Sequence, residues 1–477
     1  MDLAGWLGAP DHWLVRLVFQ KALALVYLDA FVVALVQFPA LLGERGLLPV
    51  PRFVEAVPFR SSPSLFHWRY SDRLLRAVAW TGIALSACVV VGIADAVPAP
   101  AAMLGWAVLW ILYLSIVNVG QTWYSFGWET LLCEVGFLAI FLGNAQLMPA
   151  WPLFVLLLWV LFRVEFGAGL IKMRGDACWR ELTCLYYHHE TQPMPNPLSW
   201  WFHRLPKPLH RLEVLGNHVA QLAVPVFLFF PQPIASFAAL AVVITQGWLV
   251  LSGNFAWLNW LTLALAIPAF DDASLQRIIP IGAPTGLELP LWYAVVVVLV
   301  SLLVVVRSYG PARNLLSPRQ RMNYSFDPLH LVNTYGAFGS VTKERYEVSI
   351  EGTDEAVLTP TTDWREYEFK GKPGDVMRRP PQFAPYHLRL DWLMWFAAMS
   401  SPMYHEWFMP LLEHLLEADP HVLALLRGDP FAGRRPRFLR ARLWLYQFTT
   451  ARERRETGAW WHRTEAGEYV RPVALRV

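Results

Sequence analysis

The stretch from residue 163 to residue 218 contains the densest group of side chains that could do chemistry. It places acids, bases and histidines between two strongly apolar segments. Ionisable groups beside apolar helices are costly and usually face a partner or a cavity, and groups of these types can supply general acid–base catalysis. The candidate catalytic residues are Arg163, Glu165, Asp176, Arg180, His188, Glu190 and His218.

Two interpretations of this group remain open. Arg163 and Glu165 are two positions apart, so they do not face each other on a helix and each needs a partner elsewhere. Glu129 and Glu134 are the candidate partners of Arg163. A structural ion-pair network and a cavity for a substrate or ligand both explain such a set. For the cavity, we expect the two helices that flank the second long loop to surround all seven candidates.

The histidines of this stretch raise the question of a metal. The available ligands are His188, Glu190, His210, Glu213 and His218. No H-E-x-x-H or H-x-x-E-H spacing is present, and the adjacent His188 and His189 point apart on any regular element. Interfacial histidines that make hydrogen bonds explain the pattern more simply, so we expect no metal and no cofactor.

Cys178 and Cys184 have five residues between them in a polar loop. They form a disulfide if this loop faces an oxidising compartment; a redox pair and two free thiols are the alternatives. The spacing is not C-x-x-C, which argues against a redox catalyst.

The composition is typical of a membrane protein. Apolar residues make up 55% of the 477 residues and charged residues 16%, against about 25% charge in a typical soluble domain. The 24 Trp and 36 Pro suit aromatic belts and broken helices. The net charge of +3 shows no basic face, so we expect membrane lipid and not nucleic acid as a partner.

Apolar runs then position the candidate residues. A membrane-crossing helix needs about 20 mostly apolar residues. The sequence therefore predicts a polytopic α-helical membrane domain of about nine helices over residues 1–307, with polar loops at 37–73 and 174–209. The predicted helices are 13–36, 74–95, 101–120, 127–146, 152–173, 210–231, 232–252, 255–271 and 289–307.

Residues 308–330 form a polar connector, and residues 331–477 are predicted to form a soluble C-terminal domain, α+β or β-sandwich-like. Alternating polarity indicates strands and a helical period indicates helices. The predicted strands are 346–350, 438–448 and 460–470, and the predicted helices are 388–399 and 407–426.

Several long motifs resemble the lipase maturation factor family. In the second loop they are GDACWRELTC at 175–184 and HHETQPMPNP at 188–197, followed by EVLGNH at 213–218. Later motifs agree, and they cover nearly the whole chain. They are LNWLT at 258–262, FDDA at 270–273, NTYGAFG at 333–339, KPGD at 372–375 and PYHLRLDWLMWF at 385–396.

The resemblance implies a multi-pass membrane protein that helps secreted client proteins, such as lipases, to fold and assemble. In animals the family resides in the endoplasmic reticulum. The family is taken to carry its C-terminal domain on the luminal side, which is equivalent to the bacterial periplasm. Arg378, Arg379, Trp392 and Trp395 are the client-binding candidates in that domain.

Two expectations about location follow. Basic residues are concentrated in the two long loops, which by the positive-inside rule would place the loops and the C-terminal domain in the cytoplasm. Long domains translocate largely regardless of charge, so we follow the resemblance and expect a periplasmic C-terminal domain. The compact chain shows no retention signal at Arg476-Val477, which suggests a bacterial member in the inner membrane.

The main functional hypothesis is therefore a maturation factor that is not an enzyme. The alternative is a membrane enzyme with a buried polar site that is redox-active or lipid- or quinone-linked. The helix layout also distantly resembles the membrane portion of vitamin-K-dependent carboxylases.

Overall fold

The computed structural model describes residues 3–475, so Arg476 and Val477 lie outside the described residues. Within that part of the chain, six helices are long and apolar enough to cross a membrane, which confirms the membrane-protein character. They are Pro10–Leu42, Asp72–Val90, Ala99–Val119, Trp151–Arg174, Ile234–Ser252 and Leu291–Leu316.

The prediction of about nine spanning helices is not supported in its count, because three predicted runs form helices that are shorter or interrupted. The first has 13 helical residues, which reach only about 20 Å. In the other two, Pro225 and Pro268 each lack the backbone N–H of a regular helix. The three observed segments are Gly127–Ala139; Lys207–His218 with the π-helix Val219–Ala223 and Val224–Phe227; and Leu258–Ala266 with the 3-10 turn Ile267–Ala269.

The helix ends gather at two opposite ends of the bundle. At one end, the backbone N–H of Trp13 donates to Asp272 (2.9 Å), that of Ala145 donates to Asp95, and that of Met148 donates to the carbonyl of residue 288. At the other end the two long loops meet the C-terminal domain. There Asn118 donates to the carbonyl of residue 328, and Asn254 to that of residue 381.

Both long loops contain short helices. The first loop begins at residue 43, later than predicted, because the first helix continues to Leu42. The second begins after Arg174 and folds into three helical segments before Lys207. The helices of the two loops are Val50–Ala56, Leu65–His67, Ala177–Arg180, Leu185–Thr191 and Ser199–His203.

The C-terminal domain is α+β rather than a β-sandwich. In the described residues its four-stranded sheet packs against helices, and the other sheet has only two strands. The antiparallel order is β4-β3-β5-β6, and β1 pairs separately with β2. The strands are β1 Tyr324–Ser325, β2 Asn333–Thr334, β3 Arg345–Thr353, β4 Arg365–Glu366, β5 Phe438–Phe448 and β6 Trp461–Val473. The helices are Arg389–Ala397, Phe408–Leu416, Pro420–Leu423 and Ala451–Thr457.

Strand β3 has two buried faces of different character. Side chains alternate between the faces of a strand, and on one face Val348 and Ile350 are fully buried in the apolar core with Leu411 and Leu415. The opposite face is also buried but carries Arg345, Glu347, Ser349 and Glu351. Buried charges must be paired. Glu351 pairs with Arg440 of β5 inside the sheet, whereas Arg345 and Glu347 also take partners from outside it.

Candidate functional site at the junction of bundle, loop and C-terminal domain

The first junction lies between the bundle and the segment that leads into the C-terminal domain. Arg163 and Glu134, each 1% exposed, form a two-pronged ion pair. Glu134 also accepts hydrogen bonds from the backbone and side-chain N–H groups of Asn333 (both 2.9 Å) and from the Tyr335 hydroxyl (2.6 Å). The predicted pairing of Arg163 with Glu134 is confirmed, and the pair holds the NTY segment at 333–335.

A second junction uses Glu129, the other candidate partner of Arg163. Glu129 instead pairs with Arg389 of the C-terminal domain at 2.8 Å, and both side chains are fully buried. The Tyr113 hydroxyl donates to the same carboxylate, and the ring of His387 lies 3.6 Å from it. The motif at 385–396 is therefore inserted into the bundle, where its charge is neutralised.

Arg345 forms the third junction, between β3 and the second loop. Its buried guanidinium donates to three backbone carbonyl oxygens of the segment 190–193 and to the Glu347 carboxylate at 2.6 Å. Lys372 lies 3.1 Å from the second oxygen of that carboxylate. Arginine suits this position because its planar fork presents several donors at fixed angles.

Glu190 joins the same loop to β5. Its carboxylate accepts the backbone N–H of Phe448 at 2.6 Å and lies 3.7 Å from the His203 ring. Burial raises the pKa of Glu190, although the Phe448 N–H opposes this. Burial also lowers the pKa of His203 to about 4. Glu190 thus anchors one end of a strand.

Glu165 lies apart from these junctions, inside the bundle. Its carboxylate accepts hydrogen bonds from Gln246 (2.6 Å) and Gln221 (3.3 Å), and Gln221 accepts one from Lys172 at 2.8 Å. Gln221 belongs to the π-helix Val219–Ala223, a type of interruption that is frequent at functional sites. A buried acid and a buried base are connected here through one amide.

The remaining candidates hold the second loop in place. Asp176 accepts the backbone N–H of Val341 at 2.8 Å, and a ring nitrogen of His218 bonds the Trp179 carbonyl at 3.0 Å. Arg180 is exposed and donates to the backbone carbonyls of residues 173 and 175, at the end of the helix Trp151–Arg174. A Cβ at Gly175 would collide with the Gly339 carbonyl, so this close approach requires glycine.

The prediction of one cavity lined by all seven candidates is therefore wrong. Each candidate has local partners, and within residues 3–475 they fall into separate clusters rather than around one space. His188 is buried with its ring 5.2 Å from that of Phe338. The candidates separate because the second loop folds into three short helices, which direct its charged side chains towards different elements.

Cys178 and Cys184 form a disulfide, with their Cα atoms 4.8 Å apart. Both are buried, and Trp179 between them donates its indole N–H to the Phe338 carbonyl at 2.8 Å. Of the three alternatives left open by the spacing, the structure contains the disulfide. It closes a compact turn against the motif at 333–339.

Two of the client-binding candidates are not on the surface. Trp392 is 3% exposed, with its ring centroid 5.1 Å from that of Trp128, and Trp395 is half-buried and donates to a loop carbonyl. Their helix faces the bundle, which explains the error. Arg378 is half-buried and donates to two carbonyls of its own domain, whereas Arg379 is exposed above the rings of Trp201 and Trp460.

Several side chains at these junctions were missed by reasoning from the sequence. Arg345 lies in a polar segment where an exposed charge is the ordinary expectation, Arg389 was missed although it lies among the apolar residues of 388–396, and His387 gave no signal of its own. His210 and Glu213, which the sequence indicates as available metal ligands, share a helix and form a cluster with His189, which was not among those ligands. One signal was available in the sequence: NTY at 333–335 and PYHLR at 385–389 both belong to motifs that carry the family resemblance, and both segments insert into the bundle.

Together these junctions define a multi-pass membrane protein whose soluble domain is fastened to its bundle and second loop by buried ion pairs. The lipase maturation factor transmembrane domain matches residues 14–277, and the lipase maturation factor C-terminal domain matches residues 331–471. The chain belongs to the lipase maturation factor family.

Similar curated proteins span both regions. The chain is 41% identical to "Lipase maturation factor 1" of Bos taurus over 98% of its own length and 90% of that protein. It is 42% identical to the Homo sapiens protein of that name over 99% of its length and 91% of that protein. "Lipase maturation factor 2" of Gallus gallus is 28% identical over 96% of this chain and 81% of that protein.

No solved structure matches the chain. The relatives named above are animal proteins, so they do not support the expectation of a bacterial member.

Proposed function

We propose that this chain is a membrane-anchored maturation factor for secreted lipases, and that it acts by binding its client rather than by catalysis. The observation that carries the proposal is the identity of 41–42% with proteins named lipase maturation factor 1, over nearly the whole of this chain. The likeness extends through the bundle, the second loop and the C-terminal domain, which form one connected unit through the three junctions.

The enzyme alternative loses its main support in this arrangement. Its candidate residues were to converge on one buried site, but Arg163 and Glu190 are each occupied in fastening the C-terminal domain. A group already satisfied by several hydrogen bonds is a poor acid, base or nucleophile until those bonds break. The exception is the Glu165–Gln221–Lys172 connection, which has no role in docking.

Both long loops and the C-terminal domain share one side of the membrane in this proposal. Segment 127–139 begins next to the C-terminal domain and is followed by Ala145 and Met148 at the other end of the bundle, so it crosses despite its shortness. The disulfide between Cys178 and Cys184 indicates which side of the membrane this is, because disulfides persist in oxidising compartments. We therefore place the C-terminal domain in the lumen of the endoplasmic reticulum.

An inserted glycan tests this orientation. Pro360 is exposed in the C-terminal domain, and Pro360→Asn creates an Asn-Thr-Thr acceptor that is modified only in the lumen. Expressed in animal cells, this variant is expected to show a mass shift that a glycosidase removes. An unmodified variant that reaches the membrane would place the domain in the cytoplasm and overturn the orientation.

Because Trp392 and Trp395 face the bundle, we propose a different surface for client binding. The segment that follows their helix exposes a methionine-rich apolar surface, here named the methionine patch. Flexible methionines suit partners of varied shape, and exposed apolar patches mark interaction sites. The methionine patch consists of Phe396, Met399, Met403, Tyr404 and Met409, with Met403 90% and Tyr404 81% exposed.

Rescue of lipase secretion tests the function. Cells that lack their own lipase maturation factor are made to express a secreted lipase with or without this chain, and enzyme mass and activity are measured in the medium. The chain is expected to raise activity per unit of lipase mass. No rise, with the chain abundant in the membrane, would overturn the proposed function.

Variants of the methionine patch then locate the contact. Met403→Asp with Tyr404→Asp is expected to abolish the rescue and the co-purification of the lipase, while Val357→Asp, at another exposed apolar position of the domain, retains both. Retained co-purification would show that the client binds elsewhere. If the double variant loses only its binding to lipid vesicles, the patch contacts the membrane instead.

A further inference from the structure

His189, His210 and Glu213 form a cluster that the junctions described above do not use. His189 lies on the helix Leu185–Thr191, and His210 and Glu213 lie one turn apart on Lys207–His218. The imidazoles are 2% and 1% exposed, and one nitrogen or oxygen from each of the three side chains lies within 4.8 Å of the others. The ligand types, two imidazoles and a carboxylate, are those of many zinc sites.

The cluster contains polar atoms that nothing in the described chain satisfies. Both ring nitrogens of His189, both of His210 and one carboxylate oxygen of Glu213 are buried without a hydrogen-bond partner among residues 3–475. Buried polar groups are almost always paired, and each exception requires an explanation. One unpaired atom from each of the three side chains can bind a single common partner that accepts electron pairs.

The distances within the cluster fit an ion better than direct hydrogen bonds. Glu213 lies 3.8 Å from the Nε2 of His189 and 3.9 Å from the Nδ1 of His210, too far for hydrogen bonding in either case. Two ligands at zinc-bond lengths around a tetrahedral ion are about 3.3 Å apart. The three ligand atoms lie up to 4.8 Å apart, so the side chains need to close by up to about 1.5 Å around a central ion.

We propose that His189, His210 and Glu213 bind one Zn²⁺ ion, with water as the fourth ligand. Trp248 donates its indole N–H to the Glu213 carboxylate at 2.7 Å and orients it, as outer groups commonly orient metal ligands. The ion ties the Leu185–Thr191 helix to the Lys207–His218 helix. It thereby fixes the segment 190–193 that Arg345 grips, independently of whether the chain acts on lipases.

Metal analysis of the full-length chain tests the site. The protein is purified in detergent without a histidine tag, equilibrated with micromolar Zn²⁺ and freed of loose metal. We expect about one zinc per chain, the stoichiometry of a single site. We also expect Co²⁺ alone to give the intense visible bands of a four-coordinate ion. His189→Ala and His210→Ala are expected to lose both signals, and chelation of the wild type is expected to lower its thermal stability.

His188→Ala is the matched control, because His188 is buried on the same short helix but lies against Phe338. It is expected to retain the zinc. A wild-type chain that binds neither Zn²⁺ nor Co²⁺ would overturn the proposal, as would equal zinc loss in the His188 and His189 variants. Should the alanine variants fail to fold, Glu213→Gln and the wild-type Co²⁺ spectrum decide the matter, and absence of the tetrahedral bands counts against the site.

Discussion

Separate removal of the two members of the Arg163–Glu134 pair is expected to have unequal costs. Breaking a buried ion pair by removing one partner typically costs about 3–5 kcal/mol. In Arg163→Met, the Glu134 carboxylate keeps three donors, two from Asn333 and one from Tyr335, so we expect a loss near the lower limit, about 3 kcal/mol. In Glu134→Leu, the Asn333 backbone N–H and the Tyr335 hydroxyl lose their acceptor, and the guanidinium keeps only the Asn333 carbonyl and no opposite charge, so we expect about 5 kcal/mol or more.

The double variant removes both charges and should recover part of this loss. Contacting residues show interaction energies of about 0.5–3 kcal/mol, and this pair should lie at the upper end. The measurement is the free energy of unfolding by equilibrium denaturation in mixed detergent micelles for the four proteins of the cycle. The half-exposed pair of Lys21 and Asp95, 3.7 Å apart at the other end of the bundle, is the control, with a coupling below about 1 kcal/mol. A larger cost for Arg163→Met than for Glu134→Leu, or simple additivity in the double variant, would refute this account of the junction.

Three further predictions concern the C-terminal domain and the second loop. Burial lowers the pKa of His387 from 6.5 to about 4, so the folded state holds this imidazole neutral. The free energy of unfolding should therefore be at its maximum above pH 6.5 and decrease at lower pH, by about 2 kcal/mol at pH 5. The free energy of unfolding of the wild type and of His387→Asn, measured at pH 7 and at pH 5, checks this. An equal decrease between the two pH values in both proteins would contradict it. Arg345→Lys should leave the chain in the membrane but free the segment 190–193, because an ammonium cannot reach three carbonyls. Proteolysis in the second loop should be faster than in the control Arg471→Lys, whose exposed side chain bonds Glu468 of its own strand. Equal rates would argue that Arg345 does not hold the loop. Arg180→Lys should leave both stability and lipase rescue unchanged, because Arg180 is exposed and bonds only two backbone carbonyls at the end of the preceding helix, which an ammonium can also reach. Loss of rescue in a stable protein would restore Arg180 as a functional residue.

Local patterns predicted the elements well wherever a side-chain period was unambiguous. Strand β5 has the predicted bounds 438–448, and β3 contains the predicted 346–350. The long apolar runs became helices for the same reason. The pattern failed at 127–146, 210–231 and 255–271, where hydropathy continues beyond the point at which a glycine turn, a π-helix or a proline interrupts the helix. Hydropathy measures the environment of a segment, not the length of its helix.

The candidate site was only partly predictable. Charge beside apolar sequence correctly marked Arg163 as buried and in need of a carboxylate from another helix, because an unpaired charge there is costly. The same argument could not choose between Glu129 and Glu134, since Arg389, the true partner of Glu129, lies 260 positions further along the chain. It also placed Arg180 in a cavity, although that side chain is exposed. Polarity alone does not tell which way a loop residue points.

The amino-acid sequence by itself determined that this protein is embedded in a membrane, that it ends in a domain of mixed strands and helices, and which family it resembles. These properties depend on composition, on periodicity and on long motifs, all of which are local. Only the tertiary structure decided that Arg345 grips the second loop, that the segment 385–389 enters the bundle, and that His189 meets His210 and Glu213. Such contacts join residues far apart in the chain, and their partners are chosen by the free energy of burying charge in one particular packing, which no local pattern records.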